Sequence, residues 1–214
     1  FYVDLNSQEQ SLNTLISHVD SDMYLIDNQD ETFILYTNLN APNGKVVSFD
    51  TRTEQWRDII SEKPQPLDIS TGGGYLFAHY MVDVVSKIDQ LDYQGNLVRE
   101  LHMPGLGTAS GLGGKTEQTQ LYYTFTNYVT PPTIFSFDVE SGSSEIYQHS
   151  ESPFESDKFE SKQVFYTSKD GTQVPMLISY KKGLKLDGNN PTMLYAYGGF
   201  NVSLTPSFSG TVGS

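Results

Sequence analysis

The chain has 214 residues, a formal net charge of −13 and no cysteine. That length suits one or two domains with a real core, and the acidic balance without any basic run argues against nucleic acid or an anionic membrane as partner. Disulfides, zinc–thiolate sites and cysteine nucleophiles are excluded, and no stretch approaches the ~18 apolar residues of a membrane-spanning helix. Hydrophobic residues make up 37%, with 14 Tyr and 12 Phe, a composition that favours strands over disorder.

In chain order, Phe1-Tyr2-Val3-Asp4-Leu5 reads as a strand. It shows neither an initiator Met nor a signal peptide, so the expectation is a chain that starts inside a larger protein. Short aromatic and β-branched strands are predicted over residues 32–38 (TFILYTN), 45–50 (KVVSFD), 75–81 (YLFAHYM), 121–127 (LYYTFTN) and 133–138 (TIFSFD). Turns punctuate them at Pro42-Asn43-Gly44, Gln94-Gly95-Asn96 and Ser141-Gly142. Such spacing predicts an antiparallel all-β fold, and nothing before Phe159 holds helical periodicity over three turns.

An apolar residue followed by Asp closes a strand four times: Val3-Asp4, Phe49-Asp50, Leu91-Asp92 and Phe137-Asp138. The aspartates are spaced by 46, 42 and 46 residues. Each is followed by a polar turn and another short strand, as at residues 54–60 and 96–101. A repeat of about 40–50 residues built from four strands is a β-propeller blade. About three and a half blades are expected, with the aspartates as turn-makers accepting backbone N–H groups. A ring usually needs at least four blades. An arc cut short on its N-terminal side would leave strand edges open to self-association.

The pattern changes near Phe159. Residues 162–167, Ser168-Lys169-Asp170-Gly171 and residues 172–180 predict a hairpin with an Asp-Gly turn. A polar loop follows. Residues 191–197 (PTMLYAY) then read as a strand buried on both faces, running into Gly198-Gly199. α/β folds place ligand sites at such strand ends. The expected domains are 1–158, a partial β-propeller, and 159–214, the first strands of an α/β domain.

Several features invite chemistry. Residues 109–116 (ASGLGGKT) match a relaxed phosphate-binding loop. Such a loop needs a helix after it to hold phosphates; a strand is predicted instead, which favours a Gly-rich turn between sheets. His18, His79, His102 and His149 are scattered without i, i+4 pairing, so no metal site or general base is expected of them. No Gly-x-Ser-x-Gly nucleophile elbow exists in the chain. Tyr195 and Tyr197 alternate on one face of the last predicted strand. Their hydroxyls could donate to an oxyanion, but ordinary packing is the favoured reading on physics alone.

The run Asn190-Pro191-Thr192-Met193-Leu194-Tyr195-Ala196-Tyr197-Gly198-Gly199-Phe200-Asn201 closely resembles the prolyl oligopeptidase family, which has Tyr-Gly-Tyr-Gly-Gly-Phe-Asn in this context. Residues 168–176 and 181–188 also resemble it, as does the opening strand. Ala196 replaces the family's usual Gly, adding one methyl. The resemblance is strong over residues 162–209 and weaker over 1–158. It implies a seven-bladed propeller over an α/β-hydrolase domain. It further implies a serine endopeptidase that cleaves short peptides after proline with a Ser-Asp-His triad and no cofactor. Tyr197 would be the oxyanion donor and Phe200 would line the pocket for the substrate proline. The triad would lie downstream of Ser214, leaving this piece inactive by itself. Relatives that cleave after basic residues have Tyr-Gly-Ser-Tyr-Gly at residues 197–201, so the match favours proline. A cytoplasmic location is implied, with the periplasm as the alternative. The competing expectation is a non-catalytic propeller scaffold that binds peptides or proteins.

Overall fold

The computed structural model describes residues 1–6, 8–17, 20–200 and 202–210. Fourteen strands make up the described secondary structure, with one turn of 3₁₀ helix at Ser156–Lys158. Two compact units are formed, Phe1–Pro64 and Gln65–Ser214.

The first unit holds strands β1 (Met23–Gln29), β2 (Thr32–Thr37), β3 (Lys45–Asp50) and β4 (Gln55–Ile60). They form an antiparallel meander in the order β1-β2-β3-β4. Leu35 faces Val47 and Phe33 faces Phe49 across β2 and β3. Because side chains alternate along a strand, these four share one face. Leu35, Val47 and Phe49 are buried there, with Tyr2, Leu15, Met23 and Phe33 against them. Tyr2 meets Phe33 edge-on at 5.3 Å between ring centroids. The strand expected over the first five residues reduces to one bridge, Tyr2 to Asn13. The chain turns directly after it, with the Asn6 N–H donating to Asp4 Oδ1 at 2.8 Å.

The second unit holds two more four-stranded meanders. One contains β5 (Leu67–Gly72), β6 (Tyr75–Val82), β7 (Val85–Leu91) and β8 (Leu97–Glu100); the other contains β9 (Thr108–Gly111), β10 (Gln120–Asn127), β11 (Thr130–Asp138) and β12 (Ser144–His149). Buried Phe77, Ile88, Leu101, Ala109, Leu112, Leu121, Tyr123, Phe125, Phe137 and Val139 form one core across both sheets. Phe77 of β6 meets Phe137 of β11 edge-on at 5.9 Å, an arrangement worth about 0.5–1.5 kcal/mol beyond burial. Polar bonds reinforce the seam. The side chain of fully buried Gln90 donates to Val139 O at 2.9 Å. Gly73 N–H donates to Lys115 O, and Gly114 N–H to Thr71 O, each at 2.9 Å. The inner strand β6 is buried at half of its residues and partly buried at the rest, whereas the edge strand β12 is exposed throughout.

Asp50 and Asp138 end the third strand of their sheets and Asp92 directly follows the third strand of its own. Asp50 Oδ1 accepts N–H bonds from Arg52 at 2.9 Å and Thr53 at 3.1 Å. Asp92 Oδ1 accepts from Gln94 at 2.9 Å and Asn96 at 2.8 Å. Asp138 Oδ1 accepts from the Ser141 N–H and hydroxyl, both at 2.7 Å. A positive-φ residue completes each turn: Glu54 (φ +55°), Gly95 (+83°) and Gly142 (+76°). Gly142 leaves room for Arg99, whose guanidinium lies where a Cβ would stand and donates to Glu140 O at 2.7 Å. The turn-making role expected for the aspartates is thus what they perform.

After β12 come β13 (Phe159–Thr167) and β14 (Gln173–Lys181), an antiparallel hairpin closed at Asp170-Gly171 as expected. No strand covers residues 191–197, contrary to expectation, and every residue in that run is exposed. A strand buried on both faces needs paired neighbours, and the described residues supply none for this segment. The described fold is therefore mainly β, and an α/β-hydrolase layer is absent from the described residues.

The turn carboxylates carry a pH signature. Backbone N–H bonds, from Arg52 first and from Ser141 first, hold Asp50 and Asp138 below the ordinary carboxylate value. At Asp92 burial pushes the other way but is outweighed by bonds from Asn96, Gln94 and Gly95. A depressed folded-state pKa contributes stability above the unfolded value of about 4, lost as pH falls through the folded value. Changing Asp50, Asp92 and Asp138 together to Asn should lower stability at pH 7 and flatten its decline below about pH 4. Urea unfolding across pH checks this; an unchanged acid limb contradicts it.

Candidate functional site

The candidate site lies on residues 182–202, between β14 and the end of the described chain. Gly198 (φ +67°) and Phe200 (φ +52°) both adopt positive φ, and the Val202 N–H donates to Gly199 O at 3.0 Å. A bulky residue at positive φ is uncommon, and the Phe200 ring is 94% exposed. Tyr197 is 53% exposed, and its ring lies over Gly199, 3.4 Å from where a Cβ would stand. Burial pushes the hydroxyl of Tyr128, at the β10–β11 turn, above its ordinary value, and the nearby Tyr195 adds to the rise. The structure brings Tyr197 and Phe200 onto one exposed turn, with no hydrogen-bonded nucleophile or base beside them among the described residues.

A second constellation escaped sequence reasoning. His79 Nδ1 on β6 lies 3.7 Å from Asp68 Oδ2 on the paired strand β5. Its Nε2 lies 2.9 Å from Ser86 Oγ on β7. The order Asp, His, Ser is that of a hydrolase triad. Its surroundings exclude that use. Ser86 is 3% exposed, and its Oγ accepts the Ala109 N–H at 2.8 Å. The adjoining cleft, lined in part by Asp68, Ser70, His79 and Ser110, has a volume of about 30 Å³, room for a water but not a peptide. The group braces β7 to β9. The imidazole beside Asp68 holds that carboxyl below its ordinary value against the effect of burial.

The Gly-rich stretch at residues 109–116 is strand β9 and a turn, and the next element is β10. No helix is there to hold phosphates, so the phosphate-loop reading falls. Among the described residues no group of three or more His, Cys, Asp or Glu side chains could hold a metal ion. His18 and Asn201 lie outside the described residues.

Repeated four-stranded antiparallel meanders, each closed by the same aspartate turn, define a β-propeller domain. The family described as prolyl oligopeptidase, N-terminal beta-propeller domain, matches residues 1–150, and the chain belongs to that family. It is 51% identical over 198 residues to prolyl endopeptidase of Elizabethkingia miricola, covering 91% of this chain and 28% of that protein. Against prolyl endopeptidase of Dictyostelium discoideum the identity is 33% over 234 residues, covering 97% and 30%. Among solved structures, apo prolyl oligopeptidase B from Galerina marginata matches with a TM-score of 0.86 at 30% identity, covering 98% of this chain and 31% of that one. The chain thus spans less than a third of the length of these relatives.

The exposure of Phe200 makes a direct prediction. Phe200→Ala should leave the unfolding free energy of this 214-residue chain within about 0.5 kcal/mol. A loss above about 2 kcal/mol in urea unfolding would mean that the ring is packed.

Proposed function

We propose that the chain is part of a proline-specific serine endopeptidase acting on short peptides. The observation that carries this reading is the 51% identity with a prolyl endopeptidase across 91% of the chain. Residues 1–158 are read as propeller and residues 159–214 as the first part of the α/β-hydrolase domain. The three four-stranded sheets are read as three blades, and the Tyr2–Asn13 bridge as a remnant of another. The family match ending at residue 150, one residue after β12, supports that division.

In this reading Tyr197 donates its hydroxyl to the oxyanion of the tetrahedral intermediate. Preorganised donors act there because charge appears on the carbonyl oxygen only as the nucleophile adds. Phe200 offers a flat apolar wall that suits a pyrrolidine ring. Both side chains are exposed and face no competing partner among the described residues, which supports their availability to substrate. No cofactor enters the scheme. These 214 residues hold no Gly-x-Ser-x-Gly elbow, so the serine and its Asp–His partners would come from the rest of the relatives' length.

Peptides are the partners this reading requires. Prolyl oligopeptidase B from Galerina marginata has been solved with a 35-residue substrate bound, which supports a peptide-binding role here. No described helix is long and apolar enough to cross a membrane. A cytoplasmic or periplasmic location follows from the family resemblance alone, and self-association through open strand edges remains part of the proposal.

The complete protein should hydrolyse a blocked Gly-Pro fluorogenic amide, and the 214-residue chain should not. Tyr197→Phe in the complete protein should lower kcat by about 10²–10³-fold with KM little changed. Hydrolysis by neither protein, alongside specific peptide binding by residues 1–158, would favour the scaffold reading.

A further inference from the structure

We propose that Thr108 and Thr126 are positioning residues that clamp residues 203–209 onto the β9–β10 ladder and so confine the turn bearing Tyr197 and Phe200. This rests on the site reading given above. The described residues of 182–202 contain no strand or helix, and their bonds to one another are local, such as Asn190 Nδ2 to Lys185 O and Val202 N–H to Gly199 O. Such a segment takes its position from whatever holds its two ends. One end is β14. The other is built from three contacts.

Pro206 is nearly fully buried, and its carbonyl accepts the Thr108 hydroxyl at 2.8 Å. The Phe208 N–H donates to Thr126 Oγ1 at 3.2 Å. That hydroxyl in turn donates to Thr130 O at 3.0 Å, so its donor and an acceptor site are both used. Phe208 also meets Phe154 edge-on at 5.2 Å, and Phe154 stacks on Phe159 at 4.7 Å, at the start of β13. Thr108 and Thr126 are direct cross-strand partners. Their side chains therefore stand together on one face, spaced to grip two nearby backbone groups, Pro206 O and Phe208 N–H. Six residues from Phe200 to Pro206 reach at most about 20 Å. The clamp keeps Phe200 within that radius of the ladder.

Valine keeps the shape and strand preference of threonine but lacks the hydroxyl, whereas serine keeps the hydroxyl. In the 214-residue chain, Thr108→Val with Thr126→Val should speed amide exchange across residues 202–209 about tenfold, from the loss of the two hydrogen bonds that reach the segment. Protection in β6, β7 and β10 should be unchanged, and Thr108→Ser with Thr126→Ser should restore the slow exchange. Unchanged exchange in the Val variant overturns the clamp, as does an equal loss of protection in all strands. This readout needs no catalysis, so it stands apart from the peptidase assignment. In the complete protein, the Val variant should lower kcat/KM for the Gly-Pro amide several-fold, since the turn carries both the oxyanion donor and the proline wall, and the Ser variant should restore it. An unchanged kcat/KM in the Val variant would contradict confinement of the substrate-facing turn.

Discussion

A four-stranded antiparallel sheet has two faces and cannot bury both alone. Within residues 65–149 the answer is a shared core. Phe77 and Ile88 from one sheet close against Leu121, Tyr123, Phe125 and Phe137 from the other. Burying side chains of this size is worth about 1.5–3 kcal/mol each, and the two sheets supply that burial to each other. The polar contacts follow the same logic. Gln90 reaches across to Val139 O, and Ser86 caps the Ala109 N–H under the support of His79. Without the apolar seam those groups would have no fixed geometry to satisfy.

The seam also locates what lies outside it. Phe125 and Tyr123 anchor β10 from its buried side, leaving Thr126 and Thr108 at the sheet's end to meet Pro206 and Phe208. The hairpin β13–β14 is tied to the same unit by Gln163, whose amide donates to Asp83 O at 2.6 Å. Asp83 and Val84 form the β6–β7 turn with φ of +50° and +64°. Valine is unfavourable at positive φ, so the packed strands on either side impose that turn. The chain of support runs from core, to strand ends, to the loops that touch residues 203–209.

Much of this was legible in the sequence. Alternating aromatic runs located β2, β3, β6, β10 and β11 to within a few residues, because half-buried strands must alternate. The recurring aspartates marked the third-strand turns, since a short carboxylate can cap backbone N–H groups locally. Local rules fail where the partner is distant. The apolar run at residues 191–197 looks like a buried strand, yet burial requires neighbouring strands that the described residues do not contain. The opening strand failed for the same reason, its pairing among the described residues being the single bridge from Tyr2 to Asn13. Tyr197 and Phe200 came from the resemblance of their motif, because exposed side chains on a turn have no periodic signature. The Asp68–His79–Ser86 brace and the threonine pair join residues up to 98 positions apart, and isolated polar residues on strands give no sign of such contacts.

The dependence of both sheets on one seam is tested most directly by amide exchange on Phe137→Ala in the 214-residue chain. Removing this fully buried ring should cost about 3–5 kcal/mol. Protection should then fall together in β6 and β7 of one sheet and in β10 and β11 of the other. A loss confined to β10 and β11, with β6 and β7 as protected as before, would contradict the shared core.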